Sequence, residues 1–149
     1  MGIDDAVFID TNVLVYAQLT ESPWYSLAEE WLQRLNDEGV ELWISRQTLR
    51  EYLAAMTKPN ALTKPIPIVS LINDVRYFAD RFQVAEDGTH ITETLLGLLE
   101  HISVGGKQIH DANIVATMLV YGISRLLTHN VDDFKRFAHL IEVLPLVQV

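Results

Sequence analysis

The sequence contains no cysteine, which excludes disulfides, a thiolate zinc site and a cysteine nucleophile. No apolar run approaches the roughly 20 residues of a membrane-spanning helix, so no membrane association is expected. The start, MGIDDAVFID, lacks the basic opening and long apolar stretch of a signal peptide. A chain of this kind suits the reducing cytoplasm, its expected location. Positive charge is scarce as well: 11 Lys and Arg stand against 20 Asp and Glu, a net charge of −9. At face value that disfavours nucleic acid as a partner. The distribution of charge points the other way. Residues 42–81 hold Arg46, Arg50, Lys58, Lys64, Arg76 and Arg81 against Glu51, Asp74 and Asp80, a local balance of +3 that leaves −12 for the rest. Those charges either scatter over a solvated surface or form a basic strip that can hold a phosphate backbone on an acidic body.

Hydrophobic residues make up 49% of the 149, enough for a compact core and too many for a disordered chain. No repeat, low-complexity tract or composition shift marks a linker, so residues 1–149 are expected to form a single domain. Short apolar runs predict strands at 7–9, 40–44, 84–85, 123–127 and 141–147, the last interrupted by Pro145. Helical spacing predicts helices from Ser22-Pro23, carried by Ala28, Trp31, Leu32 and Leu35, and from a Ser45 cap to about residue 57. Further helices are predicted over 67–82, 90–102, 110–121 and, briefly, 132–138. Asp10-Thr11-Asn12 reads as a turn closing the first strand. Strands alternating with helices indicate an α/β fold, a three-layer α/β/α sandwich around a mostly parallel sheet.

In open sheets of this type, ligands collect beyond the carboxyl ends of the strands. Asp10 follows the first strand directly, within the apolar company of Val7-Phe8-Ile9 and Val13-Leu14-Val15. A carboxylate there costs several kcal/mol, as an order of magnitude, unless something compensates it. Asp132 and Asp133 follow the strand at 123–127 and belong on the same edge. Asp111 opens an apolar helix whose inward face holds Ile114, Val115 and Met118, so it is expected to point inward. Glu51 projects away from the stripe of Leu49, Leu53 and Met56, and periodicity alone leaves it in water.

Each residue also admits a purely structural reading. Asp10, Thr11 and Asn12 suit a turn, Asp111 an ordinary first-turn position, Asp132 or Asp133 an N-cap, and Glu51 the surface. Taken together, several carboxylates at one sheet edge repel each other, and a hard divalent cation such as Mg²⁺ or Mn²⁺ removes that repulsion. Other chemistries find little support. There is no HExxH, no Walker loop around Gly105-Gly106-Lys107 and no GxSxG elbow, and His110 reads as a local hydrogen-bonding residue.

Three segments, VFIDTNVLVYA, SRQTLREYLAAMTKP and GGKQIHDANIVATMLVYGISRLLTHNVDDFKRF, together resemble the PIN domain. Among PIN domains they are similar to the VapC-type toxins of bacterial toxin–antitoxin pairs, over nearly the whole chain and in family order. The resemblance implies an endoribonuclease dependent on Mg²⁺ or Mn²⁺ that leaves a 5′-phosphate and a 3′-hydroxyl. Carried over by position, the catalytic and metal-binding carboxylates are Asp10, Glu51 and Asp111. Asp133 matches the acidic residue before Phe134 and is the fourth, and either it or Asp132 can substitute for the charge that Asn130 lacks. Thr128 and Asn130 match the Thr-x-Asp/Asn pattern, the chain having asparagine where many members have aspartate. Thr11, Asn12, Thr128 and Asn130 would orient the carboxylates, and Arg46, Arg50 and Lys107 would receive the RNA backbone. The resemblance further implies a homodimer and a cognate antitoxin, with the aromatic residues Trp24, Trp31 and Tyr52 available as surface unless they fill the core. Two alternatives stay open: a PIN nuclease of RNA processing without an antitoxin, and a PIN-like binding scaffold that has lost catalysis.

Overall fold

The computed structural model describes residues 5–148; Met1–Asp4 and Val149 lie outside the described residues. Strand β1 (Ala6–Ile9) leads into helix α1 (Thr11–Gln18) and then α2 (Tyr25–Asp37). Next come β2 (Glu41–Ser45), α3 (Arg46–Thr57), α4 (Ile68–Arg81) and β3 (Gln83–Ala85). Helices α5 (Thr89–His101) and α6 (Gln108–Tyr121) precede β4 (Arg125–Thr128), a 3-10 helix (Val131–Phe137) and β5 (Glu142–Pro145). The strands are all parallel, in the order β3-β2-β1-β4-β5.

The alternation of side chains along β1 divides the core in two. Val7 and Ile9 enter one cluster with Leu14, Leu32, Tyr52 and Phe78 of α1–α4. Ala6 and Phe8 enter the other, with Ile114, Val115, Phe134 and Phe137. Residues one apart on a strand point to opposite faces, so a central strand buried on both sides must be apolar at every position. All four residues of β1 are buried. This is the expected three-layer α/β/α sandwich. No described helix is long and apolar enough to cross a membrane.

The boundaries differ from expectation where capping decides them. Asp10-Thr11-Asn12 does not form a turn. Asp10 N-caps α1, its Oδ1 accepting the Thr11 N–H at 2.8 Å. Val13 and Val15 disguise the helix, because their β-branched side chains favour strands in isolation. Ser22-Pro23 does not open α2 either; Ser22 Oγ accepts from Trp24 N at 3.0 Å, and the helix starts at Tyr25. Ser45 caps α3 as expected, in a capping box with Thr48. Of the two readings open for Trp31 and Tyr52, surface or core, the structure takes the core. Tyr52 is fully buried, and Trp31 reaches inward to donate from Nε1 to the Leu146 carbonyl at 2.9 Å. Trp24, half-buried, packs its ring on His129. Exposed apolar side chains lie on α4, at Ile68, Val69, Ile72 and Tyr77, and on α5 and α6, at Leu96, Leu119 and Val120.

Candidate active site

The strand order runs outward from β1 in one direction through β2 and β3, then in the other through β4 and β5. The reversal falls between β1 and β4, where Ile9 is in register with Leu127 and Asp10 N donates to the Leu127 carbonyl at 3.0 Å. A sheet of this kind opens a crevice at such a point. The residue leaving β1 is Asp10. The residues leaving β4 are Thr128 to Asp133.

Asp10 is 7% exposed, and its carboxylate accepts three hydrogen bonds. Oδ2 accepts the Thr128 hydroxyl at 2.7 Å and the Asn12 amide at 3.2 Å, while Oδ1 takes the helix cap. Burial pushes its pKa up from 3.8 to about 6 despite those three donors, and the Glu51 charge adds to the rise. Asn12 secures the crevice further by accepting the His129 N–H on its Oδ1 at 3.1 Å. Thr128 Oγ1 in turn accepts the Asn130 N–H at 3.0 Å. Thr11, Asn12 and Thr128 thus hold carboxylates and loops in place. The Asn130 side chain is exposed, at the start of the 3-10 helix.

Glu51 corrects the periodicity reading. It is half-buried, with Oε1 accepting the Thr11 hydroxyl at 2.8 Å and Oε2 accepting the Gln47 amide at 3.0 Å. The buried side of α3 is broader than an apolar stripe; it holds Gln47 and Thr48 beside Leu49, Tyr52 and Met56. The helix has a polar flank turned to α1, and Glu51 lies on it.

Asp111, on the first turn of α6, is half-buried. Burial, followed by the charges of Asp10, Asp133 and Glu51, pushes its pKa up to about 7, with Arg136 opposing. Asp111 therefore lies within electrostatic range of Asp10, Glu51 and Asp133. Asp133 is exposed and its charge acts on Asp111, whereas Asp132 forms an ion pair with Lys135 at 2.8 Å. Among the described residues, no three Asp, Glu, His or Cys side chains stand close enough to enclose an ion unaided. The donor set nonetheless suits a hard cation. It is all oxygen and mutually repulsive, and Mg²⁺ commonly takes only one or two carboxylates and keeps several waters.

Arg46 and Arg50 flank this site, and both carry acidic partners. Arg46 makes a forked contact with Glu86, at 2.6 Å from Nη2 and 3.0 Å from Nε, and Arg50 lies 3.8 Å from Asp87. Lys107 is exposed immediately before α6. Three residues escape a reading of the sequence. Gln47 and Asn113 join α3 to α6 through a 2.7 Å hydrogen bond, and Arg136 reaches Gln108 and the Ser103 carbonyl. The one available signal is the spacing of Gln47 and Glu51, which places them on one helix face.

The family model of the PIN domain matches residues 7–140. The chain belongs to the PIN-domain family. Ribonuclease VapC33 of Mycobacterium tuberculosis is 27% identical over 140 residues, spanning 92% of this chain and 96% of the relative. The crystal structure of M. tuberculosis VapC20, a sarcin-ricin loop cleaving toxin, superposes with a TM-score of 0.69 at 15% identity, covering 93% of this chain and 99% of that one. VapBC2 from Rickettsia felis, solved with a promoter DNA fragment, gives 0.64 at 20% identity, over 94% and 98%. Nucleases of the PIN-domain family generally depend on a divalent cation.

Proposed function

We propose that this PIN domain is an endoribonuclease dependent on Mg²⁺ or Mn²⁺, acting in the cytoplasm as the toxin of a toxin–antitoxin pair, with Asp10, Glu51, Asp111 and Asp133 as its acidic residues. The observation that carries the reading is a buried carboxylate, Asp10, at the reversal point of the sheet, whose charge acts with those of Glu51 and Asp133 on Asp111. Relatives named ribonucleases over nearly the full chain support it.

Asp10 and Asp111 would hold the cation, with Glu51 and Asp133 completing the acidic cup. When bound, such a cation supplies Lewis acidity toward the phosphodiester and lowers the pKa of water. Thr128 and Asn12 fix the Asp10 carboxylate, and Thr11 fixes Glu51. A carboxylate held in this way keeps its remaining lone pairs directed into the cup. Water attacking phosphorus in line there would break the P–O3′ bond, leaving a 5′-phosphate and, once O3′ takes up a proton, a 3′-hydroxyl. Arg46, Arg50 and Lys107 would receive RNA phosphates. The two arginines must first exchange Glu86 and Asp87 for substrate, and these exposed, water-screened ion pairs are readily exchanged.

The antitoxin would be a small protein with a basic, amphipathic C-terminal segment whose arginine or lysine enters the cup in place of the cation. A toxin–antitoxin complex from Klebsiella pneumoniae among the structural neighbours supports an antitoxin partner. The active form would be a homodimer. The deciding experiment is RNA cleavage by the purified chain. Activity should vanish with chelator and return with Mg²⁺ or Mn²⁺, and undiminished cleavage in chelator would refute the reading.

A further inference from the structure

The donors on Glu51 belong to a longer chain of contacts. Gln47 is 7% exposed. Its Nε2 donates twice, to Glu51 Oε2 at 3.0 Å and to the His110 carbonyl at 2.8 Å, and its Oε1 accepts from Asn113 Nδ2 at 2.7 Å. The amide orientation follows from the chemistry of its neighbours. Reversed, Oε1 would face two acceptors and Nε2 would face a donor, so one arrangement satisfies all three contacts. His110 immediately precedes Asp111, and Asn113 lies two residues beyond it on α6. On the other side, Thr11 holds the second oxygen of Glu51 and caps its own backbone on Asp10. Asp10, Glu51 and the backbone at Asp111 are thereby tied together across α1, α3 and α6 by neutral side chains.

We propose that Gln47, kept in orientation by Asn113, is a positioning residue for the cation site: it fixes Glu51 against the first turn of α6 without reducing the acidic charge. This inference rests on the metal-dependent reading above and deepens it. Neutrality is the point of the arrangement. A lysine or arginine in the same place would orient Glu51 equally well but would compete with the cation for its charge. A carboxamide donates two hydrogen bonds and leaves the full charge of the cup to an incoming ion. Removal of supporting groups of this kind lowers metal affinity by about 10–100-fold.

The test is direct Mn²⁺ binding by isothermal titration calorimetry on the purified full chain, comparing wild type with Gln47→Met, Asn113→Leu and the double variant. Methionine fills the space of glutamine without its hydrogen bonds. Gln47→Met should weaken Mn²⁺ binding about 10-fold or more. At saturating Mn²⁺ it should lower kcat on RNA while KM stays near the wild-type value. Asn113→Leu should weaken Mn²⁺ binding less, and the double variant should match Gln47→Met, because both act through one contact. If Gln47→Met does not fold, a wild-type Mn²⁺ affinity in Asn113→Leu overturns the inference. Mn²⁺ affinity within twofold of wild type in folded Gln47→Met overturns it as well, while the proposed activity stands. No Mn²⁺ binding by the unsubstituted protein overturns both.

Discussion

Thr128 donates its hydroxyl to Asp10 at 2.7 Å across 118 residues of sequence. The contact joins the exits of β1 and β4, and the same hydroxyl accepts the Asn130 N–H. One small side chain therefore orients a buried carboxylate and starts the loop that delivers Asp133. Thr128→Val, nearly the same in shape, should leave Asp10 buried with one donor fewer. Cleavage should fall at least 10-fold and stability by about 1 kcal/mol, read from kcat and urea unfolding.

Asp10→Asn should abolish RNA cleavage and leave the fold intact. Asparagine caps helices as well as aspartate does, so the contact to Thr11 N survives. Loss of the buried charge should raise stability in chelator at pH 8 by on the order of 1 kcal/mol, less whatever the new amide loses against the Asn12 amide. Thermal unfolding and a cleavage assay on the same preparation check both halves. Near-normal activity would make Asp10 a helix cap and nothing more.

Stability of the metal-free protein should fall as pH rises. Asp10 and Asp111 have pKa values raised from 3.8 to about 6 and about 7. The folded state therefore holds protons that the unfolded state has already released. Their contribution is fully present below about pH 4 and is lost as pH climbs through 6 to 7. Melting curves in chelator from pH 5 to pH 8 should show this decline, and Asp10→Asn/Asp111→Asn should flatten it. Cation binding should strengthen over the same range, because the bound form needs ionised carboxylates.

Asp133→Ala should cost more activity than Asp132→Ala. Asp133 acts on Asp111, whereas Asp132 is spent on Lys135 with most of its side chain in water. Relative kcat values for the two variants decide the matter, and a larger loss from Asp132→Ala would reverse the assignment.

Some of this site is legible in the sequence, and the rest is hidden for identifiable reasons. Apolar runs reveal the strands, and the alternation of strand and helix reveals the layers, because burial on both sides of a parallel sheet leaves little freedom of composition. Asp10 and Asp133 can be placed on one edge from topology alone. Glu51 cannot. Its position depends on α3 packing beside α1 and α4, which turns Gln47 and Thr48 inward, and no periodicity of hydrophobic residues records a buried polar flank. The family motifs locate Glu51 where the pattern misleads. Helix α1 escapes detection because its cap, Asp10, reads equally well as a turn residue. The partners of Arg46 and Arg50 lie 40 and 37 residues away along the chain, beyond the reach of local spacing.

The place of β1 in the middle of the sheet has a consequence for how the protein is born. Its neighbours are β2, which follows within a few dozen residues, and β4, which is synthesised late. Until β4 emerges, β1 presents one open edge, and Asp10 has neither Thr128 nor the shelter of the crevice. Contacts of such long sequence separation form slowly, since the chain must close a large loop before they stabilise anything. The carboxylate site can therefore assemble only once residue 128 has been made, when nearly the whole chain has been synthesised.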